Sequence, residues 1–276
     1  MDSPSGSEQK PATAARMYDF YLGGVHNFPA DRQAAQTVID QFPAVPAVAR
    51  NNRAFLGRAV RFLADAGIRQ FLDIGSGIPT AGNVHEVAQA VAPGSRVVYV
   101  DIDPVAVAES LQILDGNDRA TAICGDLREP QAILDHPEVR RMLDFTTPAA
   151  LVLGAVLHFV PDDTEAHGLV DRLVAALPAG SYLVISHGAA ETFALSDERT
   201  AAARQVYLRR TTTAGKPRTR AQVEQLFAGR CQLVDPAVAW APEWRPASGD
   251  PADFADDARR SGMWAGVGRL RPTHEA

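Results

Sequence analysis

The sequence predicts an α/β fold, a doubly wound and mostly parallel sheet, and three observations predict it. Short apolar runs alternate with helical patterns along most of the chain, which implies parallel strands joined by right-handed crossovers. The first run, Phe71-Leu72-Asp73-Ile74, opens into the turn Gly75-Ser76-Gly77. The second, Arg96-Val97-Val98-Tyr99-Val100, ends in Asp101, 24 residues past Gly77. A glycine turn after the first strand lets backbone approach a ligand, and an acid after the second accepts from ribose hydroxyls. That is how such a sheet holds an adenosine-containing cofactor.

Each element follows from local pattern. Phe55, Leu56, Ala59, Val60 and Leu63 recur at helical spacing from about Asn51, and Gly67 stops that helix. Strand 70–74, helix 80–91, strand 96–100 and helix 104–115 come next, the last with Asp103 as cap and Pro104 in its first turn. Strand 121–124, helical pieces across 130–144, strand 149–153, helix 163–176 and strand 182–187 complete the alternation. Beyond His187 the pattern changes to helices over 197–210 and 219–228, the second capped by Thr219. Two last strands follow, 231–240 with a proline interruption and 263–270. The proline- and acid-rich span 241–257 reads as a surface loop.

The glycine turn discriminates between cofactors. A dinucleotide fingerprint needs a third glycine where this chain has Thr80. The pattern Asp73-x-Gly75-x-Gly77 is instead close to the D/E-x-G-x-G used around S-adenosyl-L-methionine. That cofactor has no phosphate and carries an ammonium, which Asp73 can engage directly or through water. Pro79, suited to a helix's first turn, fixes the loop's exit. Asp126, in Gly125-Asp126-Leu127 after the third strand, can accept from the adenine amino group. Gly154-Ala155 pass beneath the cofactor after the fourth. With Ser76, Ile102 and Leu127 these form the candidate cofactor contacts.

Composition narrows the function classes. A chain of 276 residues with 46% apolar content buries a full core, and a net charge of −6 argues against a broad nucleic-acid surface. The exception is 199–220, with seven cations and no acid. It reads as a solvated helix and loop, or as a patch drawing an anionic acceptor or carrier. Cys124 and Cys231 are expected as core thiols in a reducing compartment, and no histidine–acid spacing suggests a metal. No apolar run reaches membrane-spanning length and the N-terminus lacks a signal core. A soluble, cytoplasmic protein with no membrane partner is expected.

With these residues in view, the chain resembles a family of actinobacterial S-adenosylmethionine-dependent methyltransferases long catalogued as of unknown function. The likeness rests on 15–24 (Ala-Arg-Met-Tyr-Asp-Phe-Tyr-Leu-Gly-Gly), 27–32, 72–80, 83–88, 98–104, 155–161 and 181–187, and runs from Arg16 to the last strand. The most specific parts are the N-terminal block and the Gly77-Ile78-Pro79-Thr80 turn. Val25-His26 departs from the pattern, which has a lysine or similar polar residue and then an acid. The resemblance implies a class I, Rossmann-like methyltransferase fold: a mostly parallel seven-stranded sheet with an antiparallel last strand, plus an N-terminal helical lid. Residues 1–13 are then a disordered tail, 14–50 the lid and 51–276 the cofactor-binding domain.

The lid carries Tyr18, Tyr21 and Phe28 among polar residues. It reads either as a cover over the cofactor, with Tyr21 near the sulfonium and Arg16 or Asn27 on the methionine carboxylate, or as an amphipathic helix packing its tyrosines on the core. His85 and Glu86 brace the glycine turn or face the acceptor. His158, at the lip of the fourth strand, and His187, after the fifth, are the candidate proton acceptors. The leading function is methyl transfer to a small molecule such as a secondary metabolite. The alternatives are a non-catalytic S-adenosylmethionine-binding regulator and an NAD-dependent oxidoreductase.

Overall fold

Five strands lie parallel at the centre of the protein, and the last part of the chain closes one edge antiparallel. The computed structural model describes residues 11–80, 82–194 and 215–272. Its strands are β1 Gln70–Ile74, β2 Arg96–Asp101, β3 Ala120–Cys124, β4 Ala150–Gly154, β5 Tyr182–Gly188, β6 Cys231–Leu233, β7 Ala239–Trp240 and β8 Met263–Leu270. They form one eight-stranded sheet in the order β3-β2-β1-β4-β5-β8-β6, with β7 pairing β8. Pairs from β3 to β5 are parallel; β8 runs antiparallel to β5, β6 and β7. The extra strand arises where one run over 231–240 was expected. The chain turns away through a cis Asp235–Pro236 bond, and β6 and β7 are separate pieces.

The order reverses between β1 and β4, where two crossovers leave in opposite directions and a crevice opens above the carboxyl ends of the strands. Buried apolar side chains fill both faces of the sheet. Leu72, Val98, Leu151 and Leu183 belong to one layer, and Phe71, Val97, Ala150 and Val184 to the other. Helix α3 (Val45–Asp65) packs its apolar stripe on the second layer and runs unbroken through position 51. Helix α4 (Val84–Val91) starts later than expected. Asn83 and Glu86 form its capping box, so Pro79 stands in the loop and not in the first turn. Helix α5 (Pro104–Ile113) has Asp103 accepting from the Val105 amide, as its sequence predicts.

Helices α1 (Ala14–Tyr21) and α2 (Pro29–Gln41) form a small cap with its own apolar centre at Met17, Tyr21, Ala35 and Val38. The span 241–257 is no simple surface loop. Trp244 is fully buried, edge-on to Phe55 at 5.3 Å. The guanidinium of Arg58 donates to the carbonyls of Trp244 and Ala241 and pairs with Asp250. Cys231 is buried, whereas Cys124 is exposed because it ends β3 at the open edge of the sheet. The helix expected over 197–210, with Arg199, Arg204, Arg209 and Arg210 of the basic stretch, lies outside the described residues.

Candidate cofactor site

The glycine turn has the backbone its sequence implies. Gly75 and Gly77 both take positive φ, 74° and 63°, a conformation that side chains with Cβ rarely adopt. A Cβ on Gly75 would stand 2.3 Å from Cγ2 of Val156, so the turn is also packed against the loop after β4. The amides of Gly75 and Ser76 donate to the Val100 carbonyl. Asp101 fixes the end of the turn: its Oδ2 accepts from the Gly77 amide at 2.8 Å and its Oδ1 from the Asp103 amide at 2.9 Å. Burial raises the Asp101 carboxyl above the usual range, against the pull of those amides. Ile102, next to it, is 61% exposed, a large apolar side chain left on the rim of the crevice.

Asp73 is buried on β1 beside Tyr99 of β2. Desolvation pushes its carboxyl up to about 7, with Arg53 drawing it down and Asp101 raising it further. The Tyr99 hydroxyl accepts from the His85 amide at 2.9 Å and shares a proton with His85 Nδ1 at 2.8 Å. Glu86 caps α4 through the Asn83 amide. These two residues therefore brace the start of α4 and not the glycine turn itself.

The cap gives three of the expected contact residues partners or packing of its own. Arg16 is 2% exposed, and its Nε pairs with Asp31 at 2.8 Å, its Nη1 with Asp103 at 2.5 Å, and its Nη2 donates to the Pro11 carbonyl. Thr13 adds a hydroxyl bond to the same Asp103 carboxylate. Arg16 thus clamps α1 to α2 and to the end of β2, with each of its three nitrogens already engaged inside the protein. Asn27 donates to Asp19 and the Gly24 carbonyl and accepts from Arg32, which closes the α1–α2 loop. Tyr21 packs in the cap's apolar centre. What the cap does bring to the turn is α1 itself: a Cβ on Gly77 would lie 3.9 Å from Cα of Ala15.

The residues that replace them are on α3. Asn52 is 2% exposed; its Nδ2 donates to the Tyr18 hydroxyl, and its buried Oδ1 has no partner among the described residues. The guanidinium of Arg53 lies over the Tyr18 ring at 5.6 Å and reaches Asn83, while its buried Nε has no partner among the described residues. An unpaired acceptor and an unpaired donor on consecutive residues, with the Arg53 charge acting on the Asp73 carboxyl, match the ammonium and carboxylate of an amino acid. The signal in sequence was the polar run Asn51-Asn52-Arg53 inside an otherwise apolar-striped helix.

On the other side of the crevice, Gly154 ends β4 and Ala155 takes a φ of 53°. That left-handed backbone is unfavourable for alanine, and the Ala155 amide is held by both the carbonyl and the hydroxyl of buried Ser186. Asp126 accepts from the Arg128 amide, and Leu127 is buried. His158 is half-buried on a 3₁₀ turn just past β4, 5.7 Å from the His187 ring. Its Nδ1 has no partner among the described residues, and burial, with His187 and Arg218 nearby, lowers its pKa to about 3. His187 is fully buried and is no free base: Arg218 donates to its Nε2 at 2.9 Å and its Nδ1 meets the Gly188 carbonyl.

Arg218 is itself 0% exposed and also bonds Leu157, Val160 and Asp163. Lys216 pairs with Asp163 and Arg220 with Glu224. The described part of the basic stretch is thus committed within the protein and is no free anionic docking patch. Among the described residues no group of His, Cys, Asp and Glu could hold a metal ion, and no helix is long and apolar enough to cross a membrane.

Comparison with known proteins agrees with this geometry. Residues 4–271 match the profile of a family described as S-adenosyl methyltransferase. A DUF574 family protein from Streptomyces avermitilis is 41% identical, with a TM-score of 0.87 over 95% of this chain and 98% of its own. A protein from Thermobifida fusca is 39% identical, with a TM-score of 0.82 over 95% and 96%. Human N-acetylserotonin methyltransferase, solved with S-adenosylmethionine, shares the fold at 17% identity and a TM-score of 0.50, over 92% of this chain and 62% of that one. No curated protein sequence matches the chain.

Proposed function

The chain belongs to the S-adenosyl methyltransferase family, and from that premise we propose that it methylates a small molecule bound above the carboxyl ends of β4 and β5. The cofactor is S-adenosylmethionine, which when bound supplies the electrophilic methyl group. The observation that carries the assignment of its site is the pair of buried atoms unpartnered among the described residues, Asn52 Oδ1 and Arg53 Nε, with the Arg53 charge acting on the Asp73 carboxyl. Arg53 takes the carboxylate of the methionine end, and Asn52 and Asp73 its ammonium. Gly75, Ser76 and Gly77 give the backbone approach, and Asp101 takes the ribose while it holds the turn. Ile102, Asp126 and Leu127 border the adenine, with Gly154 and Ala155 beneath. The helices before position 51 act as the cover, with Arg16 and Asn27 holding its shape.

Alignment supplies most of the rate in such a site, because transfer from a sulfonium needs no protein nucleophile. With its pKa near 3, His158 is neutral at physiological pH and a weak base. It accepts a hydrogen bond from the acceptor and orients it. His187 and Arg218 set the shape of the lip from below.

Isothermal titration with S-adenosylmethionine, S-adenosylhomocysteine and NADH tests the reading. The two adenosyl ligands are expected to bind and NADH not. Arg53→Met is expected to weaken both by about 10- to 100-fold, the loss of one charged hydrogen-bond partner. Arg16→Lys, which keeps the charge of the cap clamp, is expected to change affinity far less. A preference for NADH, or full affinity in Arg53→Met, would remove this assignment.

A further inference from the structure

The chain between β7 and β8 builds a second recess at the far edge of the sheet. Its cavity is about 500 Å³, within the range of small-molecule pockets, and its walls include Trp240, Glu243, Phe254, Asp256, Asp257 and Arg259. We propose that this recess takes an organic cation, an ammonium carried on an apolar or aromatic frame, as part of the methyl acceptor. The acceptor role rests on the methyltransferase reading above; the ligand chemistry rests on the recess itself.

Its place in the sheet links it to the lip of β4. Because β8 runs antiparallel to β5, it begins at the edge where β5 ends. Trp264 lies opposite His187 on one side and opposite Trp240 on the other. Directly opposed residues present their side chains on the same face, so the three rings form a row across the carboxyl end of the sheet. Trp240 and Trp264 stack with centroids 3.5 Å apart, and the row continues from His187 to His158 at 5.7 Å. Glu191, on the short helix after β5, accepts from the Trp264 indole at 2.9 Å and fixes the middle of the row.

Charge and aromaticity specify the ligand. Stacking on Trp264 covers one face of the Trp240 ring, and Trp240, half-buried, also lines the cavity. An indole face attracts a cation more strongly than any other aromatic side chain does. Three carboxylates line the recess against one guanidinium. Asp257 pairs with Arg259 and Asp256 with Arg260, but Glu243 is exposed and has no ion pair among the described residues. Phe254, 3% exposed, gives an apolar floor. An anion would meet an unneutralised carboxylate here, whereas an amine would meet a counter-charge and a ring.

The test is ligand-observed NMR on the full chain with phenethylamine and 3-phenylpropionate, which share a frame and differ in charge. S-adenosylhomocysteine is titrated in parallel. The amine is expected to bind at millimolar concentration and the acid not. Glu243→Gln is expected to weaken the amine roughly threefold to fivefold, the worth of an ion pair at a solvent-exposed rim. Trp240→Leu is expected to weaken it further while S-adenosylhomocysteine still binds. Equal binding of amine and acid, binding of neither, or an amine affinity untouched by Glu243→Gln would overturn the proposal. Loss of S-adenosylhomocysteine binding in the unaltered protein, with the amine still bound, would instead remove the acceptor role along with the methyltransferase reading.

Discussion

Arg218 donates from Nη1 to Nε2 of His187 at 2.9 Å, and that bond takes His187 out of proton chemistry. The Nε2 lone pair is occupied, so the ring carries its proton on Nδ1 and gives it to the Gly188 carbonyl. Burial and the neighbouring guanidinium lower its pKa to about 4, so it stays neutral across the physiological range. One guanidinium thereby ties the end of β5 to the 3₁₀ turn after β4 and to the start of helix α6 (Asp163–Ala175).

The first prediction follows from that tie. Arg218→Met leaves the Leu157 and Val160 carbonyls without their donor and is expected to cost about 3 kcal/mol. Thermal unfolding should shift down by roughly 5–10 °C. Arg220→Met, which removes an exposed pair with Glu224, should leave the transition within about 1 °C of its original position. Equal transitions for the two variants would mean that the buried guanidinium is not holding the lip.

The second concerns pH. Asp73 is raised to about 7 by burial, and an ammonium beside it would favour the ionised form. Cofactor affinity is therefore expected to rise with pH up to about 7, by as much as tenfold per unit, and to level off above it. Binding below pH 7 should release a proton, measurable by titration calorimetry in buffers of different ionisation enthalpy. The sign for stability is the opposite. Between the unfolded value near 3.8 and about 7, the folded cofactor-free chain keeps a proton that the unfolded chain has lost. Stability should then fall as pH rises through that window. Asp73→Asn should flatten both curves.

Much of this architecture was legible because it depends on local pattern. Strands 70–74 and 263–270 fall where their apolar runs stand, and Asp103 and Thr219 cap the helices that follow them. The turn was legible because glycine takes the positive φ of 74° and 63° at 75 and 77 without the cost that a Cβ brings. Partner choice over long separations was not. Arg16 lies 87 residues from Asp103, and nothing in the spacing reveals that its charge is already spent inside the cap. Burial of Trp244 depends likewise on Arg58, 186 residues away, holding its carbonyl. The Asn52–Arg53 pair was hidden because unsatisfied atoms are visible only in three dimensions.

The third prediction separates two costs at the glycine turn. Gly75→Ala meets both the positive φ of 74° and a Cβ contact of 2.3 Å with Val156. It is expected to abolish measurable cofactor binding and to destabilise the fold by about 2–4 kcal/mol. Adding Val156→Ala should recover the steric part, seen as a partial return of the unfolding temperature, but not the dihedral part. Full recovery in the double variant would show that the backbone conformation carries no strain.

The fourth uses the two thiols as opposite reporters. Cys231 is buried, and desolvation pushes its thiol up to about 11, so it should resist alkylation until the chain unfolds. Cys124 is exposed at the end of β3, its Sγ 3.8 Å from the Ile102 carbonyl, and should take one equivalent of iodoacetamide readily. If the adenine of the cofactor lies between Ile102 and Asp126, S-adenosylhomocysteine must shield this thiol. Mass spectrometry after timed alkylation is expected to show Cys124 modification slowed by about tenfold or more at saturating ligand, with Cys231 unmodified throughout. Shielding in Cys231 with none in Cys124 would put the ligand elsewhere on the sheet. Equal reactivity of Cys124 with and without bound ligand would move the adenine away from the end of β3, and with it the roles given to Asp126 and Leu127.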